Sequence, residues 1–397
     1  MGERKKRILF MHHVSSIGGA SYCLLNVLMT IDKDHFEPIV ALKSDGPLRT
    51  EIEKHGIETV FFSKMNCVPY NQSLYKYNSI KSYLDIERSM SLYVELLQKL
   101  NIDIVYLNNM MLYPYLKCAK ELGLKTIIHI REHWPLDEHI YQLRRARKYV
   151  KEYADQVIAI NRYSASMFPD SRPTIVYDWI DMESRYELRP YDEIFGEDAS
   201  KLKVYLFTGG MLSIKGCLQV IEAFSKYITT SNSRLLIVGG INPELYTKSI
   251  KGKLKKVLSN LGYDTYGYAV MKRIAKDKRI FCIPATYYLS HIMEQAYCNL
   301  SFFTIAHANL ALAECEIMGT PSIAARTDES IEYSLGEELS ILYELGNFES
   351  FTKAINSFDC KYKELEYNLS KRAFEIKEMF SKSNNQKILN TIFDKFI

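Results

Sequence analysis

Short apolar segments alternate with helical patterns along the chain of 397 residues, and only helical patterns follow residue 360. Apolar runs of about four to eight residues are typical of strands buried on both faces of a parallel sheet, with helices covering those faces. The pattern therefore predicts an α/β protein. The predicted strands are 7–13, 38–43, 59–62, 103–108, 126–131, 156–160 and 174–178 in the first half, and 203–209, 234–240, 279–284, 300–303, 322–325 and 340–345 in the second.

Composition narrows the class of protein. With 47% hydrophobic residues the chain can form two domains, and a formal net charge of +4 is too small to indicate a nucleic-acid binder. None of the eight cysteines forms a CxxC pair, as expected for reduced core thiols. The basic start is followed by too short an apolar run for a signal peptide, and no run of about 18 apolar residues could span a membrane. We expect a soluble, cytoplasmic, globular protein that binds no nucleic acid.

Ligands of parallel α/β sheets bind at the carboxyl ends of the strands. Two glycine-rich loops at such ends are candidate anion-binding sites. In 11–28, Gly18 and Gly19 open a helix, which would let backbone N–H groups approach an anion. In 207–224, Lys215 follows two glycines at the start of a helix. A cation there opposes the helix dipole, but a bound phosphate would make it favourable. A plain tight turn and an exposed lysine remain the alternatives.

A third loop, TIIHIREHWP (126–135), crowds four polar side chains at a strand end: His129, Arg131, Glu132 and His133. No Cys/His spacing there matches a zinc site, and the HxxxH spacing needs a helix to bring both rings to one metal. The segment is predicted as a strand, so no metal site is expected. The alternative to a functional role is a polar loop with one core histidine.

The segment IAHANLALAECEIMGTPSIAA (305–325) contains a predicted helix from Asn309 to Met318. Asn309 is a good N-cap, and Gly319 suits the C′ position. Helical geometry puts Glu314 in the apolar stripe of Leu310, Ala313 and Ile317, so this carboxylate needs a partner. Glu316 falls about 200° away and is expected to be a solvated surface charge. For Glu314, a ligand contact and a structural ion pair both remain open.

Taken together, GGMLSIKG, RLLIVGG and AHANLALAECEIMGTP resemble, in order and spacing, the motifs of the retaining glycosyltransferases of family 4 (glycosyl transferase group 1). The resemblance covers nearly the whole chain. It implies a GT-B fold: two Rossmann-like domains with parallel sheets facing across a cleft. It makes Lys215 the phosphate-binding lysine, Glu314 the ribose contact and His129 an active-site histidine near the transferred sugar. Its implied donor-binding residues are Gly18, Gly19, Gly209, Gly210, Lys215, Gly239, Pro284, Asn309, Leu310 and Glu314.

Three elements of the family pattern are replaced. The first glutamate of the paired motif falls on Ala306, the phosphate-binding arginine falls on Gly210, and the usual asparagine-glycine is Asp178-Trp179. The resemblance still implies transfer of a sugar from a nucleotide-sugar, UDP-linked by expectation, to a hydroxyl of a growing glycan, as in bacterial surface polysaccharide synthesis. No cofactor or metal is expected. A catalytically silent nucleotide-sugar binder and a GT-B epimerase are the alternatives; the absence of GxGxxG argues against a dehydrogenase.

The predicted domains are 1–184, on the acceptor side, and 201–380, on the donor side. The charged, aperiodic stretch 185–200 is the predicted linker. The amphipathic end, 381–397, with Ile388, Ile392 and Phe396 on one stripe, is expected to pack back on the first domain, as the resembled fold implies.

A basic helix is predicted within 142–153. Its cationic face, Arg144, Arg147, Lys148 and Lys151, predicts peripheral contact with anionic lipid at the inner face of the membrane. The acceptor would then be a glycan or a lipid-linked glycan. An ordinary solvated helix face is the alternative.

Overall fold

A computed structural model describes residues 4–69, 77–134, 140–180, 191–239, 265–286 and 288–397. The chain divides into two compact units, each built on one parallel sheet. The first unit comprises Met1–Trp179 and Phe380–Ile397, and the second comprises Ile180–Met379. Of the predicted linker, residues 185–190 lie outside the described residues, and a short helix, Tyr191–Phe195, follows them.

The first sheet has seven parallel strands in the order β3-β2-β1-β4-β5-β6-β7. Its side chains alternate between two cores: Leu9 and Met11 of β1 face one, and Ile8 and Phe10 face the other. The strand order reverses between β1 and β4, which marks the place where ligands of such sheets bind. The strands are β1 Lys6–His12, β2 Phe36–Leu42, β3 Glu58–Phe61, β4 Ile104–Leu107, β5 Lys125–Ile130, β6 Gln156–Ala159 and β7 Thr174–Ile175.

The second sheet has six parallel strands in the order β10-β9-β8-β11-β12-β13. It repeats the arrangement of the first, with the reversal between β8 and β11, and apolar side chains pack on both of its faces. The strands are β8 Lys203–Phe207, β9 Ser233–Val238, β10 Ile280–Ile283, β11 Cys298–Ser301, β12 Ser322–Arg326 and β13 Ser340–Glu344. All predicted strands are thus present, with ends shifted by a few residues. The α/β prediction is confirmed.

Helices connect successive strands in both units. Those of the first unit are α1 Gly19–Thr30, α2 Pro47–Lys54, α3 Tyr77–Lys99, α4 Tyr115–Glu121, α5 Ile140–Tyr153 and α6 Arg162–Ser166. Those of the second are α7 Tyr191–Phe195, α8 Cys217–Tyr227, α9 Tyr266–Ile274, α10 Leu289–Glu294, α11 Leu310–Ile317, α12 Asp328–Tyr333 and α13 Phe348–Met379. Single 3-10 turns lie at Met110–Leu112, Pro169–Ser171, Ser213–Lys215 and Asp394–Phe396. Within the described ranges, no helix is both long enough and apolar enough to cross a bilayer.

The last helix, α14 (Lys382–Phe393), packs in the core of the first unit. The Phe393 ring lies 5.8 Å from that of Phe36 and 6.2 Å from that of Tyr106. The predicted stripe is partly wrong, because Ile388 is 37% exposed while Leu389 and Phe393 are buried. The stripe begins instead at Asn385, whose side-chain oxygen accepts the backbone N–H of Tyr177 at 2.8 Å.

Candidate active site

In the second unit, glycines shape the turns at the carboxyl ends of β8 and β9. Gly210 and Gly239 both have positive φ angles, 59° and 86°. A Cβ on Gly210 would lie 2.9 Å from the carbonyl oxygen of Gly239, so the two turns pack backbone against backbone. A Cβ on Gly209 would lie 2.3 Å from the Phe207 ring and 2.9 Å from Cβ of Lys215. The chain's own packing therefore explains the glycines at 209 and 210.

Lys215 ends the 3-10 turn that leads into α8. Its Nζ lies 4.9 Å from the ring centroid of Phe303, which follows β11. The backbone N–H of Thr304 donates to the carbonyl oxygen of Ile214 at 3.1 Å and ties the two loops together. Burial lowers the pKa of Lys215, and the carboxyl group of Glu314 acts in the opposite direction. A partly desolvated cation thus lies at the carboxyl edge of the sheet, where strand order reverses.

Helix α11 begins where predicted, but its N-cap works differently. The Asn309 side chain makes no capping hydrogen bond and donates instead to Oγ of Ser301 at 2.9 Å. The side chain thereby anchors the helix start to the end of β11. At the other end, Gly319 has a φ of 81°, which confirms the predicted C′ glycine.

Glu314 lies half-buried on α11. Burial raises its pKa to about 7, and the positive charge of Lys215 opposes that shift. Glu314 in turn raises the pKa of Lys215, as expected for an acid and a base that share one low-dielectric region. The structure thus brings Glu314 and Lys215 into one electrostatic cluster.

The prediction for Glu316 is wrong. Its side chain is fully buried, and its Oε1 accepts hydrogen bonds from Oγ of Ser334 at 2.6 Å and Oγ of Ser340 at 2.5 Å. Burial raises its pKa to about 8. The predicted stripe also fails, because Leu310 and Ile317 are only half-buried. The buried residues are Leu312, Ala313, Cys315 and Glu316.

The physical reason for that error lies in the composition of α11. Apart from its two glutamates, the helix is made of apolar residues and one cysteine, so it has no polar face from which an orientation could be deduced. The hydrogen-bond donors for Glu316 lie 18 and 24 residues further along the chain. They meet the carboxyl group only through tertiary folding.

Other predicted donor-side residues line the same edge of the second sheet. Pro284 follows β10 and is exposed, as is Gly239 after β9. Leu310 begins α11 and is half-buried. Two of the substituted positions, Gly210 and Ala306, are also there. Ala306 lies before α11, and the ring of its neighbour His307 lies edge-on to Phe303 at 5.8 Å.

In the first unit, Gly18 and Gly19 lie exposed at the start of α1, after β1. A Cβ on either glycine would meet no atom within 4 Å, and Gly18 has an extended φ of −165°. Unlike Gly209 and Gly210, these two glycines are therefore not required by packing. An open glycine-rich helix start leaves room for a ligand to approach the backbone closely.

His129 is buried near the end of β5, with 1% of its surface exposed. Its Nδ1 lies 2.6 Å from the Tyr106 hydroxyl and 3.2 Å from a terminal guanidinium nitrogen of Arg131. Burial, with the charge of Arg131 second, lowers the pKa of His129 well below its usual range. The other ring nitrogen, Nε2, is buried and has no hydrogen-bond partner among the described residues. The imidazole is therefore neutral.

Arg131 forms an ion pair with Asp178, and their side chains are 5% and 18% exposed. Burial is the largest single influence and disfavours the charge of the guanidinium, but Asp178, Cys23 and Tyr106 together outweigh it and raise the pKa of Arg131. The Nε of Arg131 also donates to Oδ1 of Asn108 at 3.1 Å. Asp178, which stands where the resembled family has asparagine, is thus paired with a buried arginine.

The remaining polar residues at this edge divide between the two faces of the sheet. On the face opposite His129, Asn109 donates to Nδ1 of His13 at 2.7 Å. Glu132 accepts the backbone N–H of Met110 at 2.8 Å, and burial raises its pKa to about 7. The ring of His133 stacks on Tyr163 at 3.9 Å.

In the part of the chain that the structure describes, no group of three acidic, histidine or cysteine side chains could hold a metal ion.

The basic helix is present as α5, but its cations do not all face solvent. Arg147 is half-buried, and its Nε donates to the carbonyl oxygen of Met167 at 2.5 Å. Arg144 and Lys148 are exposed, and Lys151 is exposed with its Nζ 3.5 Å from Asp170. The cationic face is therefore narrower than predicted.

Four residues that contact the candidate site were not predicted from the sequence. His12, Asn108 and Tyr106 belong to the hydrogen-bond network around His129 and Arg131, and Phe303 contacts Lys215. His12 and Asn108 each lie at or just after a strand end, at positions whose side chains face the His129 side of the sheet. That alternation was readable from sequence. Which strands are neighbours was not, because β1 and β4 are separated by about ninety residues of other elements.

Solved structures share this architecture at low sequence identity. Neither a protein-family model nor a curated protein sequence matches the chain. HepE of Anabaena in complex with UDP-glucose superposes with a TM-score of 0.72 at 17% identity, over 98% of this chain and 99% of that chain. Sucrose-phosphate synthase of Thermosynechococcus elongatus gives 0.69 at 11% identity, over 99% of each chain. A glycosyltransferase of Rickettsia africae gives 0.66 at 16% identity, over 98% and 99%. The chain therefore has the GT-B fold, in which each of two units is a Rossmann-like α/β domain.

Proposed function

We propose that this protein is a glycosyltransferase that moves a sugar, a hexose, from a UDP-linked donor to a hydroxyl of a growing glycan, with retention of anomeric configuration. The observation that carries the proposal is the Lys215–Phe303–Glu314 cluster at the strand reversal of the second sheet. Solved structures of the same fold include HepE with UDP-glucose and sucrose-phosphate synthase, which supports a nucleotide-sugar as the donor.

Within this proposal, Lys215 neutralises the negative charge that develops on the departing diphosphate. Its ammonium group is desolvated, so it attracts an anion more strongly than a hydrated surface lysine would. Glu314 accepts hydrogen bonds from the ribose hydroxyls, and the backbone at Asn309 and Leu310 faces the diphosphate. Gly18 and Gly19 leave the backbone open to the ligand. His129 contacts the transferred sugar through Nε2, which requires the groups that bury this atom to move aside when the sugar binds.

A screen of nucleotide-sugars by thermal shift tests donor binding, since a ligand that binds only the folded protein raises its melting temperature. UDP release is then measured with and without glycan acceptors, and the product's anomeric configuration is read by NMR. We expect one UDP-sugar to stabilise the fold and UDP to appear only with an acceptor. A protein that no nucleotide-sugar stabilises would contradict the proposal.

A second candidate is a nucleotide-sugar binder without activity. Gly210 stands where the resembled family has a phosphate-binding arginine, and its positive φ and contact with Gly239 leave no room for a side chain without rearrangement. Donor binding without UDP release from any acceptor would favour this reading. Conversion of the donor into a sugar epimer without an acceptor would favour the epimerase.

The proposal requires no metal, because Lys215 supplies the positive charge beside the diphosphate. Turnover with the best donor and acceptor is compared before and after dialysis against EDTA. We expect equal rates in the two samples. A rate that collapses in EDTA and returns with Mg²⁺ or Mn²⁺ would show that a metal shares this task.

We also propose peripheral contact with the inner face of the membrane, which suits a role in bacterial surface polysaccharide synthesis. Arg144 and Lys148 are the exposed cations of α5 that support it. Binding to anionic vesicles should be strongest at low salt and weaken as salt rises, because salt screens exposed charges. The variant R144Q/K148Q should bind less. Equal binding to anionic and neutral vesicles would contradict the contact.

A further inference from the structure

We propose that Arg131 is a positioning residue that fixes both His12 and His129 as neutral tautomers carrying their proton on Nε2. His129 would then meet the sugar as a hydrogen-bond donor, not as a base. The catalytic part of this inference rests on the proposed function. The tautomers themselves follow from the hydrogen-bond geometry of the first unit alone.

The argument begins with the chemistry of the guanidinium group. Arginine has five N–H donors, no acceptor, and a charge that persists at any physiological pH. Every atom that Arg131 contacts must therefore accept a hydrogen bond. Its contacts are the carboxylate of Asp178, Oδ1 of Asn108 and Nδ1 of His129. The orientation of the surrounding network is thereby determined.

The branch to His129 is direct. Its Nδ1 accepts from Arg131 at 3.2 Å, so this nitrogen carries a lone pair and no proton. The Tyr106 hydroxyl, 2.6 Å from the same nitrogen, also donates to it, so the two donors share the single lone pair of Nδ1, and Tyr106 makes the shorter contact. The ring is neutral, so its proton lies on Nε2. This is the buried nitrogen that has no partner among the described residues.

The branch to His12 passes through Asn108. With its Oδ1 accepting from Arg131, the amide of Asn108 presents its NH₂ group to Nδ1 of His12 at 3.0 Å. His12 therefore also carries its proton on Nε2. That nitrogen lies 3.3 Å from Oγ of Ser21.

The end of this branch checks the assignment independently. Ser21 donates its hydroxyl proton to the carbonyl oxygen of Ser16 at 2.8 Å. Its oxygen is left to accept, which is what a proton on Nε2 of His12 requires. The chain of donors thus runs from Arg131 to the loop that carries Gly18 and Gly19, and all its hydrogen bonds point the same way.

The side chains of this network are buried, so each depends on its neighbours for hydrogen bonds. His12, Asn108 and His129 are each at most 1% exposed. Burial lowers the pKa of His12 to about 3, with the nearby His13 and Arg131 contributing in the same direction. Arg131 acts on both rings, and His13, just after β1, acts on His12. Tyr106 on β4 bonds His129, and Cys23 on α1 and Asp178 after β7 act on Arg131 and Tyr106.

The tautomers can be measured directly by two-bond ¹⁵N–¹H NMR of protein labelled at its histidine rings. Among the nine histidines, the signals of His12 and His129 are identified by the loss of one signal set in H12N and in H129N. We expect wild-type His12 and His129 to show a protonated Nε2 and an unprotonated Nδ1. A proton on Nδ1 of either ring would overturn the inference, whatever the activity of the protein.

The role of Arg131 is tested with R131M/D178N, which removes both buried charges together. Its matched control, R279M/D277N, removes a half-buried pair in the second unit. We expect His129 to lose its fixed tautomer and to gain protons at a higher pH than in wild type. Should the double variant not fold, R131K keeps the charge but cannot make all three contacts. Unchanged tautomers in a folded variant would overturn the assignment.

Activity provides the last readout. Loss of the correct tautomer should lower kcat about tenfold or more, by analogy with other oriented histidines. The loss should be largest where the ring is neutral and smaller at low pH, because a protonated imidazole carries a proton on Nε2 whatever its neutral tautomer. A merely structural defect would not show this recovery. A uniform loss at all pH values would contradict the positioning role. If the wild-type protein transfers no sugar at all, the proposed function fails, and the NMR result alone decides the tautomers.

Discussion

The Nζ of Lys215 lies 4.9 Å from the ring centroid of Phe303, so a charge at the carboxyl edge of the second sheet rests against an aromatic side chain. The contact joins the loop after β8 to the loop after β11, the two strands between which the sheet order reverses. Burial lowers the pKa of Lys215, so the folded protein disfavours this charge relative to water. An anionic ligand would relieve that cost.

Replacing Lys215 should therefore separate activity from stability. In Lys215→Met we expect transfer to lose about 2–4 kcal/mol of transition-state stabilisation, since a preorganised cation is removed. The melting temperature should stay equal or rise, because a desolvated charge is removed. Activity and thermal unfolding are measured on the same preparations. The control is Lys226→Met, an exposed lysine on α8. Near-normal turnover in Lys215→Met would remove Lys215 from the mechanism.

The two glutamates of α11 should give opposite results. Above pH 7, where Glu314 is ionised, Glu314→Gln removes a charge-assisted acceptor worth about 1.5–3 kcal/mol, so donor affinity should fall about ten- to a hundred-fold, with little change in stability. Glu316→Ala leaves two buried serine hydroxyls without an acceptor, and should lower the free energy of unfolding by about 2–4 kcal/mol without changing donor affinity. Calorimetry and denaturant unfolding measure the two quantities. Equal donor affinities in both variants would return Glu314 to a structural role.

Glu316 should also leave a signature in the pH dependence of stability. Its pKa rises from 4.5 in the unfolded chain to about 8 in the folded protein. Its stabilising contribution is therefore complete below pH 4.5 and declines as the pH rises toward 8. Between those values the decline amounts to about 1.4 kcal/mol per pH unit.

The measurement is denaturant unfolding of wild-type protein and Glu316→Gln across this window. A glutamine side chain cannot release a proton. The variant's free energy of unfolding should therefore fall less steeply with pH, and the difference in slope should correspond to about one proton. Glu314 and the histidines titrate alike in both proteins and cancel in the comparison. Parallel curves would show that Glu316 is ionised in the folded protein.

Two residues of α14, one buried and one exposed, test whether this helix stabilises the first unit. Phe393 is 3% exposed and packs on Phe36 and Tyr106, whereas Ile388 on the same helix is 37% exposed. Phe393→Ala should lower stability by about 3–5 kcal/mol, and Ile388→Ala by much less. Hydrogen exchange with peptide resolution should place the loss in the first unit. Faster exchange confined to 201–379 would contradict the packing.

The α/β class and the positions of the strands can be read from the amino-acid sequence. Apolar runs with intervening helical patterns were sufficient to identify every strand of both sheets, because a strand buried on both faces must be apolar throughout. The placement of Lys215 after β8 and of Gly319 after α11 was equally readable, since turns and helix ends have local chemical requirements. Such features depend on neighbours within a few residues.

The environment of the polar side chains, in contrast, depends on how the chain folds in three dimensions. The sequence predicts a solvated Glu316 because the two serines that bind it lie far along the chain. It predicts a capping role for Asn309 because the true partner, Ser301, belongs to another element. Arg131 meets Asp178 only because β5, β6 and β7 lie side by side. The free energy of a buried polar group depends on which partners surround it, and sheet topology brings those partners together from distant parts of the sequence.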